Sequence, residues 1–177
     1  MKFLKNKKIL EISEGNPKDA EEILAVLKQV GSESDNLIID SNGVQLTVEQ
    51  EEEYLKKNQK SITNKNFIGK VDGKVVCTAG IQGNARKRVE HNVTLGISIL
   101  KDYWNIGIGG HMMNHILNYC RTTKLIKNVV LEVREDNVHA IHLYEKLGFK
   151  KIGVFTDKVK IDDKYYNEII MEILLNK

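Results

Sequence analysis

Apolar positions along this chain recur with two periods, and the switches between them outline the elements. Lys8 to Glu14 alternates as a first strand. Asn16-Pro17 opens a helix, with asparagine as cap and proline at the first helical position. Ala20, Ile23, Leu24 and Leu27 give that helix its inner face, and Gly31 is the expected stop. Residues 31–46 are polar and turn-rich apart from Leu37-Ile38-Ile39, and a loop that long predicts a functional or mobile segment. Thr47-Val48-Glu49-Gln50 has capping-box spacing and starts a second helix that runs to about Lys60. Its acidic run, Glu49 and Glu51 to Glu53, predicts a solvated face, with attraction of an amine as the alternative. Asn66–Val71 and Lys74–Gln82 read as two strands joined by an Asp72-Gly73 hairpin turn. A further strand, Val93–Leu100, leads to a helix from about Gly109 to Thr123. Met112, Met113, Ile116, Leu117 and Cys120 form one face of that helix. Asn128–Val133 is a strand, Val138–Leu147 a helix stopped by Gly148, and Phe149–Phe155 and Tyr165–Leu175 are the last strands. The order β-α-α-β-β-β-α-β-α-β-β describes an α/β fold, a mixed sheet covered by helices.

Composition narrows the class without naming a function. The chain has 177 residues, the size of one domain spanning 1–177, and with 29% charged and 41% hydrophobic residues it is a folding sequence. A net charge of +3 suits an anionic ligand and is too small to argue for nucleic acid. Arg86-Lys87-Arg88 reads as a solvated loop. Cys77 and Cys120 lie in apolar runs and make no disulfide framework. The basic N-terminus lacks an apolar signal core, and no run reaches the ~18 apolar residues of a membrane span, so a cytoplasmic protein is expected. His111 and His115, four apart on a helix, and the pair His139 and His142 lack a third ligand, and no metal is expected.

The chemistry concentrates between the two central strands. No Asp or Glu occurs between Asp102 and Glu132, whereas a helix start ordinarily carries carboxylates in its first turn. This start carries Gly107, Gly109 and Gly110 instead. Each glycine inside a helix costs about 1 kcal/mol against alanine. Bare N–H groups without side-chain bulk suit a ligand phosphate. Gly110 is followed by His111, not by the Lys-Ser/Thr of a P-loop. The third glycine of a dinucleotide fingerprint is replaced by Met112, and Gly107 lies seven residues beyond Leu100. Glu132 still mimics a ribose-binding acid, so the dinucleotide reading is weakened and not removed.

Trp104-Asn105-Ile106-Gly107-Ile108-Gly109 resembles the Gln/Arg-x-x-Gly-x-Gly/Ala signature of the GNAT superfamily of N-acetyltransferases, with Trp104 where Gln or Arg is usual. Leu131-Glu132-Val133-Arg134, followed by Asn137, Ala140, Tyr144 and Gly148-Phe149, resembles the family's closing motif, especially in the branch that includes ribosomal-protein alanine acetyltransferases. Together these motifs cover about residues 91–155. The resemblance implies a GNAT fold, acetyl-CoA as co-substrate and an amine acceptor, with a homodimer as a further expectation. Asn105, Ile106, Gly107, Ile108, Gly109 and Gly110 would hold the pyrophosphate. Ile97, Ser98 and Ile99 would offer backbone groups to the pantetheine arm, and Asn137 would contact the CoA chain. Glu132 would draw off the amine proton, its alternative being a salt bridge to Arg134 or a helix lysine. Tyr144 would be the general acid and a cofactor contact, its alternative being a core tyrosine packed with Ile141 and Leu147. A non-catalytic acyl-CoA-binding module on the same fold is the other function open to these residues.

Overall fold

The computed structural model describes residues 2–175. Eight strands and four α-helices follow in the order β1 (Lys2–Phe3), β2 (Ile9–Glu14), α1 (Ala20–Glu33), α2 (Val48–Gln59), β3 (Lys65–Val71), β4 (Lys74–Gly83), β5 (Asn92–Ile99), α3 (Ile108–Thr122), β6 (Asn128–Arg134), α4 (Val138–Lys146), β7 (Lys150–Ile161) and β8 (Lys164–Leu174). They build one sheet in the order β1-β2-β3-β4-β5-β6-β8-β7. The expected mixed α/β architecture is present. The two-residue β1, too short to carry a period, is additional.

Local chemistry explains most boundaries. Asn16 caps a 3₁₀ turn at Pro17–Asp19 that runs into α1, and Thr47 and Gln50 close the capping box of α2. At the β3–β4 hairpin, Asp72 and Gly73 both have positive φ, 51° and 78°, the backbone of a two-residue turn. Gly31 does not end α1, which continues to Glu33. A Cβ at Gly31 would lie 2.0 Å from the Asp40 carbonyl oxygen. Glycine is required there because the 34–46 segment folds back against the helix, not because the helix stops. The acidic run on α2 is also not wholly solvated. Glu51 lies with Leu55 and Asn58 on the buried face, and burial raises its pKa. β7 extends six residues past the expected Phe155, through a bulge between Phe155 and Val159 where Asp157 has φ 53°.

The core gathers around the predicted face of α3. Met112, Met113, Ile116, Leu117 and Cys120 are all at most 1% exposed. Fully burying an aliphatic side chain stabilises by about 1.5–3 kcal/mol, so this face outweighs the cost of glycines at the helix start. Both cysteines are buried in this core, and burial pushes the Cys120 thiol up to about 12.

β5 pairs with β4 from Val93 to Ile99, and β6 pairs with β8 from Asn128 to Arg134. Between themselves β5 and β6, the parallel pair of the sheet, match only at Asn92–Asn128, Val93–Val129 and Thr94–Val130. Beyond Thr94 each strand stays with its outer neighbour and the two part. The sheet opens as a V, with the edge of β5 turned toward β6 left without a ladder.

Candidate active site

A cavity of about 900 Å³ fills this opening. At its β5 side stands the start of α3. Asn105 (φ 62°) and Gly107 (φ 107°) are left-handed, and they turn the chain so that the helix begins facing the V. The first helical bond runs from the His111 N–H to the Gly107 oxygen at 3.1 Å. The N–H groups of Ile108, Gly109 and Gly110 therefore lie in the turn that has no helical acceptor. No side chain caps this end and no acid occupies its first turn. The chemistry of this cradle, partial positive charge without bulk, fits a pyrophosphate. Its glycines have separate causes. Gly107 is set by its left-handed φ. Gly109 faces α4, where an added Cβ would come 3.1 Å from a Leu143 methyl. Gly110 has room, with Leu143 at 3.8 Å, and no left-handed φ.

Of the residues expected to touch a cofactor, Ile97, Ser98, Ile99, Asn105, Gly107, Ile108, Gly109, Gly110, Asn137 and Tyr144 all line this cavity. Ile106 does not. It packs on the core, and its carbonyl accepts the Lys5 N–H at 3.1 Å. Trp104 lines the cavity, but its indole N–H is engaged by the Ile99 carbonyl at 2.7 Å. It ties the loop to the end of β5. Lys5, unremarked in the sequence, reaches the cavity through the turn that joins β1 to β2.

The opposite arm carries the ionisable groups. Glu132 points away from the core face of β6, where Val129, Leu131 and Val133 are buried. Its carboxylate lies 3.7 Å from the Lys158 ammonium, not against Arg134 or a helix lysine. Lys158 comes from the bulged part of β7, and its ammonium lies 4.3 Å from the centre of the Phe155 ring. Arg134 is held by bonds of 2.9 and 2.6 Å to the Asp136 carboxylate, donates to the Asp35 carbonyl at 2.7 Å, and stacks over Tyr166. The Arg134 guanidinium in turn lowers the pKa of Asp136. Asn137 caps α4 by accepting the Ala140 N–H at 3.2 Å through its side-chain oxygen. Tyr144 is 8% exposed, with its ring 5.9 Å from Phe149, so it is both a core residue and part of the cavity wall. Burial pushes its phenol up to about 12, which keeps it a proton donor through the physiological range.

Other elements close the far end. Ser34, Asn36, Leu37 and Ile38 of the long loop line the cavity, as does Tyr54 of α2. Glu168 of β8 joins Glu132 and Lys158 there. Sequence reasoning missed Glu168 and Lys158. The only signal for Glu168 is a charge inside the otherwise uncharged run Tyr165–Met171. His115 is packed edge-on against Phe67 at 5.2 Å, and burial lowers its pKa. Among the described residues no group of three or more His, Cys, Asp or Glu side chains is placed to hold a metal.

Comparisons with known proteins converge on one family. The description "Acetyltransferase (GNAT) family" matches residues 36–149. N-alpha-acetyltransferase 50 of Danio rerio is 39% identical over 80 residues, 45% of each chain. An N-alpha-acetyltransferase of Sulfurisphaera tokodaii is 30% identical over 102 residues, covering 50% of this chain and 58% of that protein. The chain thus spans about half the length of the curated relatives it matches. A GNAT acetyltransferase structure from Streptococcus pneumoniae superposes with a TM-score of 0.92 at 32% identity, covering 95% of this chain and 100% of that one. The fold alone is shared with yncA of Salmonella typhimurium, described with its cofactor acetyl-CoA, at TM-score 0.82 and 12% identity over 95% of each chain. With the family's description matching 36–149, and with a parted β5–β6 pair and an uncapped glycine start to α3, this chain belongs to the acetyltransferase (GNAT) family.

Proposed function

We propose that this chain is an acetyl-CoA-dependent N-acetyltransferase that moves an acetyl group directly to a primary amine. The observation that carries the reading is the V between β5 and β6, with the acid-free helix start on one side and Glu132 and Tyr144 on the other. In this reading the N–H groups of Ile108, Gly109 and Gly110 hold the pyrophosphate, and Lys5 supplies the cation that Trp104 does not. The edge of β5 at Ile97–Ile99, apart from the Ile99 carbonyl taken by Trp104, aligns the pantetheine arm as a strand would be aligned. The side-chain oxygen of Asn137 is used by its cap, so its amide N–H₂ is the group left for the CoA chain.

Three demands of acetyl transfer fall on named residues. An alkyl amine of pKa ~10.4 is almost wholly charged at pH 7, and neutralising it costs roughly 4.6 kcal/mol. Glu132 takes that proton, directly or through water. Tyr144 protonates the departing thiolate, whose ordinary pKa of ~8.5 makes it a fair leaving group. The backbone of β5 faces the carbonyl oxygen as it gains charge.

The deciding experiment follows acetyl-CoA consumption and thiol release across a panel of small amines and peptide N-termini. Turnover with at least one amine is expected. Tight CoA binding without turnover on any amine would return the non-catalytic acyl-CoA module. Tighter binding of NAD than of CoA would refute the cofactor assignment.

A further inference from the structure

Among the described residues no ion pair is formed by Glu168. In the β6–β8 ladder it stands directly opposite Arg134, the natural partner for a carboxylate. The Arg134 guanidinium is already spent on Asp136, on the Asp35 carbonyl and on the face of Tyr166. Lys158 turns its ammonium to Glu132 instead. Glu168 is nevertheless only 5% exposed, and its Oε2 is buried with no hydrogen-bond partner. An ionised carboxylate without a partner is disfavoured at so buried a site, so the group keeps a proton, and that proton needs an acceptor. The acceptor within reach is Glu132. It pairs with Ile170, two residues along β8, which places the two glutamates as diagonal neighbours on one face. Both line the cavity.

We propose that Glu168 is a positioning residue for acetyl transfer: its carboxyl group, carrying a proton, donates to the Glu132 carboxylate and holds it toward the incoming amine. This rests on Glu132 as the base. In the transfer an N–H bond of the ammonium breaks and its electron pair stays on nitrogen. The proton goes to the Glu132 oxygen that Glu168 does not engage, and later leaves to water. Glu168 keeps its own proton throughout. Burial first, and then the neighbouring Glu132, raise the pKa of Glu168, while Lys158 opposes the rise. The charged and titratable groups around it are Glu132 and Arg134 on β6, Lys158 on β7 and Tyr166 on β8. Of these only Lys158 offers a cation not fully engaged by hydrogen bonds.

The test uses the full chain, with carboxyl-carbon NMR titration of its glutamates and turnover measured against pH. Glu168 should titrate above the ordinary carboxyl range, and Glu132→Gln should shift it back downward. Glu168→Leu, which removes the donor yet fills an apolar-compatible site, should lower kcat by about tenfold or more with KM for acetyl-CoA unchanged. Glu168→Gln keeps an N–H donor that never ionises. It should recover most of that loss, and its activity relative to the parent should rise with pH as the parent's Glu168 loses its proton. A Glu168 that titrates like a free carboxyl, with Glu168→Leu at parental kcat and Glu132→Gln impaired, overturns the pairing alone. Parental turnover in Glu132→Gln refutes the base assignment, whatever the titration shows.

Discussion

Placing one negative charge at Gly110 separates the two things a helix N-terminus can do. Gly110 is the third residue of α3, and an added Cβ there meets only a Leu143 methyl at 3.8 Å, ordinary contact. In Gly110→Asp the carboxylate would sit among the free N–H groups. For the protein alone this is favourable. Replacing a helical glycine gains a few tenths of a kcal/mol and the dipole interaction adds about 0.3–1 kcal/mol. For a bound pyrophosphate it is the opposite. A unit charge at about 5 Å costs roughly 3 kcal/mol at an effective dielectric of ~20 and under 1 kcal/mol at that of water. With two phosphate charges and screening by salt, about 2–3 kcal/mol is expected. That is roughly a 30- to 150-fold loss of affinity.

The assay is calorimetric titration of acetyl-CoA into the parent, Gly110→Asp and Gly110→Ala, with thermal melts of each. The Ala variant carries the volume without the charge. It should bind within about threefold of the parent and melt slightly higher. The Asp variant should also melt higher, yet bind far more weakly. The same change at Gly107 would not discriminate, because φ 107° strains any L-residue placed there. Parental affinity in a folded Gly110→Asp would refute the pyrophosphate assignment. An equal loss in Gly110→Ala would show that bulk, not charge, is the obstacle.

Two other substitutions test neighbouring steps. Tyr144→Phe keeps the packing on Phe149, so affinity and melting should change little while turnover falls by about 10²-fold, a loss of roughly 2.7 kcal/mol. Because the phenol is pushed up to about 12, the parent should show no loss of its acid below about pH 10, and a variant turning over at the parental rate with chemistry rate-limiting would make Tyr144 a core residue only. Gly31→Ala sets helix propensity against close approach: propensity alone predicts a gain of up to about 1 kcal/mol, whereas a Cβ 2.0 Å from the Asp40 oxygen predicts a loss of about 1–3 kcal/mol and a melt lower by roughly 2–12 °C. A higher melting temperature would refute the contact between α1 and the 34–46 segment.

What the sequence disclosed follows from how far each feature reaches along the chain. The start of α3 was legible because its signal is local: three glycines, no acid, and an apolar face in the following turns. The placement of Glu132 and Tyr144 at the cavity was legible through the strand–helix motif that holds them, twelve residues apart. Glu168 was not, because its meaning depends on the register of β8 against β6 and on Arg134 being occupied by Asp136 and Asp35. Lys158 was hidden by the bulge that carries it back over β6, and Lys5 by a two-residue strand. Gly31 was misread because a glycine that stops a helix and one that admits a crossing backbone look alike in a sequence.

With Glu132 as the proposed base, an arriving ammonium must take the place of Lys158. Both side chains are about one-third exposed, at 34% and 37%, and the 3.7 Å separation is long for a charge-assisted bond. Exposed pairs of this kind contribute about 0–1 kcal/mol. Removing the amine proton costs about 4.6 kcal/mol at pH 7. Vacating Glu132 is therefore the smaller step, and Lys158 on its bulged strand can swing aside without breaking a ladder bond. The larger cost falls on the base, and there the environment of Glu132 matters more than its exposure. A second carboxyl held against it in a buried position fixes its direction without adding another negative charge for the amine to retain its proton against. On the proposed pairing, the orphaned oxygen of Glu168, rather than the visible ion pair, is the feature that governs proton removal.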